Sequence, residues 1–222
     1  MRSTPWRWLP HTPAPTDAHP TVQLIPVEDP QEALRRENAA LRESVEALRA
    51  ENEALRALSL TDALTGLPNH RAFRAALRQE RQRALRTGLD LALVVFDLDD
   101  FKLLNDRHGH AVGDAVLARV AGLMRSALRE TDLLTRYGGE EFALLAPGTD
   151  RAGALALAEK VRLTVAEAAF SVLGLEGPIT VRTTVSAGVA HFRADERAFF
   201  DAADRALYRA KAAGKDCVFV AE

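Results

Sequence analysis

The most constraining pattern in this 222-residue chain is a leucine repeat between residues 31 and 59. Leucines stand at every seventh position of that segment: Leu34, Leu41, Leu48 and Leu55. A seven-residue apolar repeat without Gly or Pro predicts a helix that buries one narrow face against a second helix. We therefore expect residues 31–60 to form a parallel coiled coil, and the protein to be a homodimer through residues 31–59.

The residues beside the leucines favour this pairing. Asn38 and Asn52 occupy heptad position a, where a polar group typically fixes the register of two parallel strands. Facing g and e positions pair opposite charges: Glu37 with Arg42, and Glu51 with Arg56. The alternative, an amphipathic helix packed on its own domain, normally carries a wider apolar stripe. A leucine-zipper DNA-binding protein would need a basic helix before the repeat.

Composition and charge exclude several classes of protein. Residues 1–30 hold seven of the ten prolines, which predicts a disordered leader rather than a basic helix or a signal peptide. A net charge of -2 gives no basic surface for nucleic acid. No apolar stretch reaches the roughly 20 residues that a membrane span needs. The sequence thus predicts a cytoplasmic protein without nucleic-acid or membrane partners, and its single cysteine, Cys217, cannot form an internal disulfide.

Alternating apolar patterns predict an α+β domain over residues 61–222. Helices are expected at residues 70–87, 111–128, 152–168 and 199–213, and strands at residues 91–96, 133–137, 142–145, 179–185 and 187–192. From Leu91 this order gives a ferredoxin-like or palm-type βαββαβ core, with an extra hairpin, helix and strand. The right-handed crossover rule places the second strand parallel to the first, with the third antiparallel between them.

This topology brings acidic residues together at one edge of the sheet. Asp97 follows the buried strand Leu91–Phe96, and Glu140 and Glu141 lie in the turn of a hairpin. Neighbouring carboxylates cannot all ionise cheaply unless a cation shares the space. Oxygen ligands of this kind suit Mg²⁺ or Mn²⁺, completed by substrate phosphates and water. The sequence therefore predicts metal-assisted phosphoryl chemistry at this edge.

Two glycines precede the acids of the turn. Gly138 and Gly139 lack a Cβ, so they can adopt positive φ and let a base or ribose approach closely. Taken alone, a Gly-Gly-Glu-Glu turn is also a common exposed hairpin. The surrounding motifs favour the functional interpretation.

Five motifs in order, from about Thr61 to Asp216, resemble the GGDEF family of diguanylate cyclases. They read DALTGLPN at residues 62–69, FDLDDFKLLND at 96–106 with HGH at 108–110 and GD at 113–114, RYGGEEF at 136–142, TVSAGV at 184–189 and ADRALYRAK at 203–211. The first acid of the turn is glutamate, a GGEEF variant that the family accepts. The resemblance implies an enzyme that joins two GTP molecules into cyclic di-GMP.

The resemblance also implies a role for each matching residue. Asp97 and Glu140 would hold metal ions with the main-chain carbonyl of Leu98, and Glu141 would lie beside them. Glu140 is also the candidate base for the ribose 3′-hydroxyl. The guanine would be read by Asn105 and Asp114, in a pocket that His110 lines. The triphosphate would meet three lysines and main-chain N–H groups near one aromatic residue: Lys102, Lys211, Lys215 and Phe101. Lys215 stands where arginine is usual in the family.

A second site follows from the same resemblance. Arg129 and Asp132 match the Arg-x-x-Asp pair through which family members bind cyclic di-GMP as a feedback inhibitor, and Lys160 stands where a second arginine is often found. The alternative function is a catalytically inactive cyclic di-GMP or GTP receptor, or a dimerisation module. An inactive receptor would lose the turn acids or Asp97, and this chain keeps all of them.

Overall fold

The computed structural model describes residues 30–58, 60–174, 177–192 and 196–222. The chain divides into two units, one ending at Leu55 and one beginning at Arg56. Helix α1 (Pro30–Leu58) confirms the predicted helix. Along it, Leu34, Leu41 and Leu48 are 58%, 56% and 64% exposed. The pairing of this helix and the domain boundaries remain predictions, and residues 1–29 of the predicted leader lie outside the described residues.

The second unit is an α+β domain, as predicted. Its remaining helices are α2 (His70–Thr87), α3 (Phe101–His108), α4 (His110–Ser126), α5 (Arg151–Glu167) and α6 (Glu196–Ala212). Its strands are β1 (Leu91–Leu98), β2 (Leu133–Arg136), β3 (Glu141–Pro147), β4 (Phe170–Gly174), β5 (Gly177–Val181), β6 (Val185–His191) and β7 (Val218–Val220). None of the helices within the described ranges has the length and apolar character that crossing a bilayer requires.

The main sheet has the strand order β2-β3-β1-β6-β7. Strand β3 lies between β1 and β2 and is antiparallel to both, so β2 runs parallel to β1. The predicted core arrangement is therefore confirmed. Strand β6 adds to the other side of β1 in antiparallel fashion, and β7 pairs with β6 in parallel. The carboxyl end of β1, the start of β6 and the turn between β2 and β3 consequently meet at one edge of the sheet.

Both faces of β1 are covered, which explains its continuous apolar sequence. Successive side chains of a strand point to opposite faces. Val94 and Phe96 belong to a core cluster that includes Val116 of α4 and Val161 of α5. Leu93 and Val95 belong to a second cluster with residues of α2 and α6. Burial of β1 on both sides fixes the position of its carboxyl end, where Asp97 lies.

One glycine sets how closely α6 approaches the sheet. A Cβ on Gly188 of β6 would lie 2.1 Å from the carbonyl oxygen of Ala203 and 2.3 Å from the nitrogen of Leu207. Any side chain there would push α6 away from the strand. Because Lys211 lies one turn beyond Leu207, this close packing also determines where the lysine reaches.

Three segments differ from the prediction. Strand β4 was not expected, and it pairs with β5 in a separate two-stranded sheet. Residues between Asp97 and Ala111 were expected to form a loop, but they contain α3, which buries only Phe101 and Leu104 and is too short to show helical periodicity. The strand expected over residues 179–185 is wrong in its second half, because β5 ends at Val181 and β6 begins at Val185. Between them, the carbonyl of Thr184 accepts a hydrogen bond from the Asp99 N–H group at 2.9 Å instead of joining a ladder.

Candidate functional site

The carboxyl end of β1 lies directly opposite the turn between β2 and β3. Asp97 is the register partner of Glu141, and the N–H group of Leu98 donates to the carbonyl of Glu140 at 3.3 Å. The topology thus brings Asp97, Glu140 and Glu141 to one sheet edge, as the sequence predicts.

The turn closes through its own main chain. The N–H groups of Tyr137 and Gly138 both donate to the carbonyl of Glu141, at 2.9 Å and 3.2 Å. Neither Gly138 nor Gly139 adopts the positive φ that a glycine allows. A Cβ on Gly138 would lie 2.4 Å from the Oε2 atom of Glu141, so the end of the Glu141 side chain would have to shift.

Lys211 of α6 places a positive charge among the oxygens at this edge. Its Nζ donates to the main-chain oxygens of Asp97 and Leu98, each at 3.2 Å. It also forms an ion pair with the Asp97 carboxylate. These oxygens therefore already surround a positively charged group, as they would have to do around a metal ion.

The donor set fits Mg²⁺ or Mn²⁺ bound together with substrate. Across the described ranges, no three His, Cys, Asp or Glu side chains converge closely enough to hold a metal ion by themselves. Asp97, Glu140 and Glu141 therefore do not form a complete cage. Mg²⁺ is usually held by one or two carboxylates, with waters and substrate phosphates completing its shell. Asp97 and Glu140, with the carbonyl of Leu98, satisfy that smaller requirement.

The carboxylates of this edge share one electrostatic character. Burial raises the pKa of Asp97, and the hydrogen bond and charge of Lys211 offset this only partly. Burial also raises the pKa of Glu140 and of Glu141, and the negative charge of Asp97 raises both further. Each group therefore binds protons more readily than an exposed carboxylate does. An added cation would favour their ionised forms.

The predicted guanine readers lie where α3 meets α4. Gly109, with φ of 85°, ends α3 and precedes α4, so Asn105 and His110 come from adjoining helix ends. The Oδ1 atom of Asn105 is buried and has no hydrogen-bond partner. Asp114 and His110 are exposed on the first turns of α4. An unpaired buried acceptor is costly, so a ligand that donates a hydrogen bond there would be favoured.

The predicted triphosphate ligands surround the start of α3. Phe101 begins this helix and is buried, whereas Lys102 is exposed beside it. Lys215 forms an ion pair with Asp100, the residue before the helix. The first N–H groups of any helix lack acceptors within that helix, so they can bind an anion. Lys211 and Lys215 therefore both contact the Asp97–Asp100 segment.

The predicted inhibitory residues gather at the end of α4. Asp132 is 4% exposed, and its Oδ2 accepts from the N–H group of Arg129 at 3.0 Å, so it also shapes this turn. Arg129 itself is exposed. Lys160 of α5 donates to the carbonyl of Ala127 at 2.7 Å, which places it at the same helix end.

Two structural contributors have no role in the sequence prediction. Arg136 contacts both Asp62 and the main chain of the turn. Asp99 is buried beneath Lys211. Asp99 lies in the motif at residues 96–106 and Arg136 in the motif at residues 136–142, and this membership is the signal that could have identified them.

Comparison with known proteins agrees with this geometry. Residues 59–217 match the family described as diguanylate cyclase, GGDEF domain. The chain is 46% identical over 165 residues to diguanylate cyclase DgcP of Pseudomonas aeruginosa, covering 73% of this chain but only 24% of that relative. The curated relative DgcM of Escherichia coli is likewise matched over 38% of its length.

Solved structures extend the likeness to the fold. Diguanylate cyclase SiaD from Pseudomonas aeruginosa, solved with its activator SiaC, is 40% identical, with a TM-score of 0.69 over 86% of this chain and 74% of that one. The structure of the coiled coil and GGDEF domain of DgcB from Caulobacter crescentus, solved with c-di-GMP, is 31% identical in sequence and has a TM-score of 0.70. The match covers 85% of this chain and 100% of that one. The chain therefore belongs to the GGDEF-domain family of diguanylate cyclases.

Proposed function

We propose that this protein is a diguanylate cyclase that condenses two GTP molecules into cyclic di-GMP and two pyrophosphates. The observation that carries the proposal is the register of Asp97 with Glu141, which sets the turn acids beside oxygens that already bind a cationic group. The high identity to diguanylate cyclase DgcP supports the same reaction. Because the substrate is GTP, we place the activity in the cytoplasm.

The residues of the sheet edge would hold Mg²⁺ or Mn²⁺. Asp97, Glu140 and the carbonyl of Leu98 are the proposed ligands, with Glu141 beside them. When bound, the ion would neutralise charge on the triphosphate and make the attacking hydroxyl more acidic.

The protein itself orients the nucleotide. Asn105 and Asp114 would take hydrogen bonds from the guanine edge, and His110 would line the pocket. The triphosphate would lie along the start of α3, held by the following groups: Lys102, Lys211, Lys215 and the main-chain N–H groups near Phe101. Fixing both ends of the nucleotide limits the positions that its α-phosphate can take.

The proposed step is an in-line displacement at phosphorus. The ribose 3′-oxygen of one GTP forms a bond to the α-phosphorus of the other, and the bond from that phosphorus to the pyrophosphate oxygen breaks. Glu140 is the proposed acceptor of the 3′-hydroxyl proton. A second, equivalent step closes the ring and releases the second pyrophosphate.

The symmetry of the product requires two half-sites that face each other. A single protomer that holds one GTP completes only half of this arrangement. The exposed leucines of α1 recur at every seventh residue and form an apolar stripe on which a second copy of the chain would pack. Such a homodimer would raise the effective concentration of the second active site.

We also propose feedback inhibition through the residues at the end of α4. Arg129, Asp132 and Lys160 would bind cyclic di-GMP, whose phosphates suit the guanidinium and ammonium groups. The DgcB structure from Caulobacter crescentus was solved with c-di-GMP, which shows that a related domain binds this molecule. In Arg129→Ala, the concentration of cyclic di-GMP needed for half inhibition should rise at least about tenfold. Unchanged inhibition would contradict this assignment.

The activity itself is tested by product analysis. The protein is incubated with Mg²⁺ and either GTP or ATP, and the products are identified by mass. The incubation with GTP should yield a cyclic dinucleotide, and the incubation with ATP should not. A product from ATP at a comparable rate would contradict the guanine-reading role of Asn105 and Asp114.

A further inference from the structure

Asp99 has the most extensively hydrogen-bonded carboxylate at the sheet edge, yet the proposed reaction gives it no part. The residue is 6% exposed, so its carboxylate does not face solvent. Its donors are Lys211 Nζ at 2.7 Å, Thr184 Oγ1 at 2.6 Å, Ser186 Oγ at 2.7 Å and the Asp216 N–H group at 3.0 Å. A buried carboxylate needs such partners, and here it has four.

These donors come from three separate parts of the chain. Ser186 belongs to β6 and Thr184 directly precedes it, Lys211 belongs to α6, and Asp216 lies in the turn before β7. Lys211 supplies a charge-assisted hydrogen bond, and the two hydroxyl groups and the Asp216 N–H group complete the set of donors around the carboxylate. The carboxylate is therefore an anchor around which these segments assemble.

The turn that Asp99 contacts has an unusual main chain. Lys215 and Asp216 have φ of 66° and 44°, in the left-handed region that residues with a Cβ seldom adopt. Such conformations persist only where surrounding contacts determine them. The Asp99 carboxylate supplies one such contact through the Asp216 N–H group, and Arg162 supplies another by pairing with the Asp216 side chain at 2.6 Å.

Lys211 distinguishes the roles of the two neighbouring aspartates. Its Nζ contacts the carboxylates of both Asp97 and Asp99. Asp97 is partly exposed at the sheet edge, where the proposed metal ligands lie, whereas Asp99 is enclosed by protein. Asp99 is therefore the partner that can retain Lys211 while Asp97 serves another cation.

We infer that Asp99 is a positioning residue that holds Lys211 and Lys215 at the triphosphate without contacting the nucleotide. The inference rests on the proposed function, because it assumes that these lysines meet a triphosphate. It goes beyond that function by assigning both lysines to one buried anchor. Loss of the anchor should weaken binding of the phosphates and spare the nucleoside.

The test compares the binding of a nucleotide with that of its nucleoside. The probes are 3′-deoxy-GTP and 3′-deoxyguanosine, which lack the attacking hydroxyl, and the Kd of each is measured with Mg²⁺ by NMR titration. Asp99→Asn keeps the side-chain shape but removes the charge. We expect it to weaken 3′-deoxy-GTP binding about tenfold or more and to change 3′-deoxyguanosine binding less than about twofold.

Two further variants make the outcome specific. Asp106→Asn removes the same charge from an exposed position on α3 and should leave both Kd values unchanged. Ser186→Ala removes one donor but keeps the Asp99 charge, and should weaken 3′-deoxy-GTP binding selectively by about twofold to fivefold. If Asp99→Asn does not fold, the two Kd values of Ser186→Ala test the inference in its place.

The outcomes separate this inference from the proposed function. Equal weakening of both probes, or no weakening of 3′-deoxy-GTP, in the variant that folds would overturn the positioning role even if the unaltered protein makes cyclic di-GMP. Selective weakening would support the role even if the unaltered protein makes no product. An unaltered protein that binds no 3′-deoxy-GTP would contradict both.

Discussion

Arg136 and Asp62 form an ion pair across 74 residues of sequence, with Nη1 of the arginine 3.1 Å and 3.2 Å from the two carboxylate oxygens. The same guanidinium donates from Nη2 to the carbonyl of Gly139 at 2.7 Å. Asp62 also accepts hydrogen bonds from the N–H and Oγ1 groups of Thr65, at 2.9 Å and 2.7 Å. The pair thus ties the start of the second unit to the turn that carries Glu140.

Removal of either member should destabilise the protein through a shared interaction. Both side chains are mostly buried, so Asp62→Ala and Arg136→Ala should each lower the free energy of unfolding by about 1–3 kcal/mol. The double variant should lose less than the sum, because both changes remove the same contact. Urea denaturation of all four proteins measures this coupling. Additive losses would mean that the pair contributes nothing of its own.

The same carboxylate predicts a dependence of stability on pH. Burial raises the pKa of Asp62, but hydrogen bonds from Thr65 and the interaction with Arg136 outweigh it, so the pKa lies below its ordinary value of 3.8. A group with a lowered folded-state pKa stabilises the protein above its unfolded pKa and loses that effect as the pH falls through the folded value.

The comparison is made with Asp62→Asn, which has no proton to bind at this position. The stability advantage of the unaltered protein over this variant should be constant between about pH 7 and 5 and should shrink as the pH falls below 3.8. Urea denaturation of both proteins at each pH measures the difference. An advantage that grows in acid would have the wrong sign for this carboxylate.

Gly113 is expected to control the position of the guanine reader. A Cβ on Gly113 would lie 1.8 Å from Oδ1 and 2.9 Å from Cγ of Asn105, so Gly113→Ala must turn this side chain away. We expect the KM for GTP to rise about tenfold, equivalent to about 1.4 kcal/mol of lost binding, with little loss of stability.

Gly122→Ala is the matched control on the same helix. A Cβ at Gly122 meets no atom within 4 Å, so the KM should not change. Steady-state kinetics of the two variants give the comparison. A KM that rises equally in both would trace the effect to α4 as a whole rather than to Asn105.

The leucines of α1 provide the test of dimerisation. Leu41→Glu with Leu48→Glu places charges on the exposed apolar stripe and should dissociate the homodimer. Turnover per protomer should therefore fall most at low protein concentration and recover partly at high concentration. Ala40→Glu with Ala47→Glu adds the same charges at heptad position c and should leave turnover unchanged. Full turnover by a variant that sedimentation shows to be monomeric would refute the dimer requirement.

The sequence predicts much of this fold because its signals are local and periodic. The apolar run of β1 and the right-handed crossover rule were enough to place β3 between β1 and β2. Helix α3 was missed because eight residues bury only two side chains, which leaves no recurring spacing. The break at residues 182–184 follows from hydrogen bonds between Thr184 and Asp99, which are 85 residues apart in the sequence.

In the site, too, some features follow from the sequence pattern and others depend on side-chain packing. The meeting of Asp97 with the turn acids follows from topology, whereas the close approach of the Glu141 carboxylate to Gly138 does not. Only the folded position of Glu141 reveals that a Cβ on Gly138 would displace that carboxylate. The donors of Asp99 are likewise distant in sequence, between 85 and 117 residues away. Contacts of this kind depend on packing, which no local pattern encodes.

The most direct test of the proposed reaction is the stoichiometry of its products. The protein and Glu140→Gln are each incubated with GTP and Mg²⁺, and cyclic di-GMP and pyrophosphate are quantified together. The unaltered protein should release two pyrophosphates for each cyclic di-GMP, and the variant should lose at least about a hundredfold in rate, because one proposed metal ligand and base is removed. Absence of cyclic di-GMP from the unaltered protein, or an equal rate in Glu140→Gln, would contradict the account.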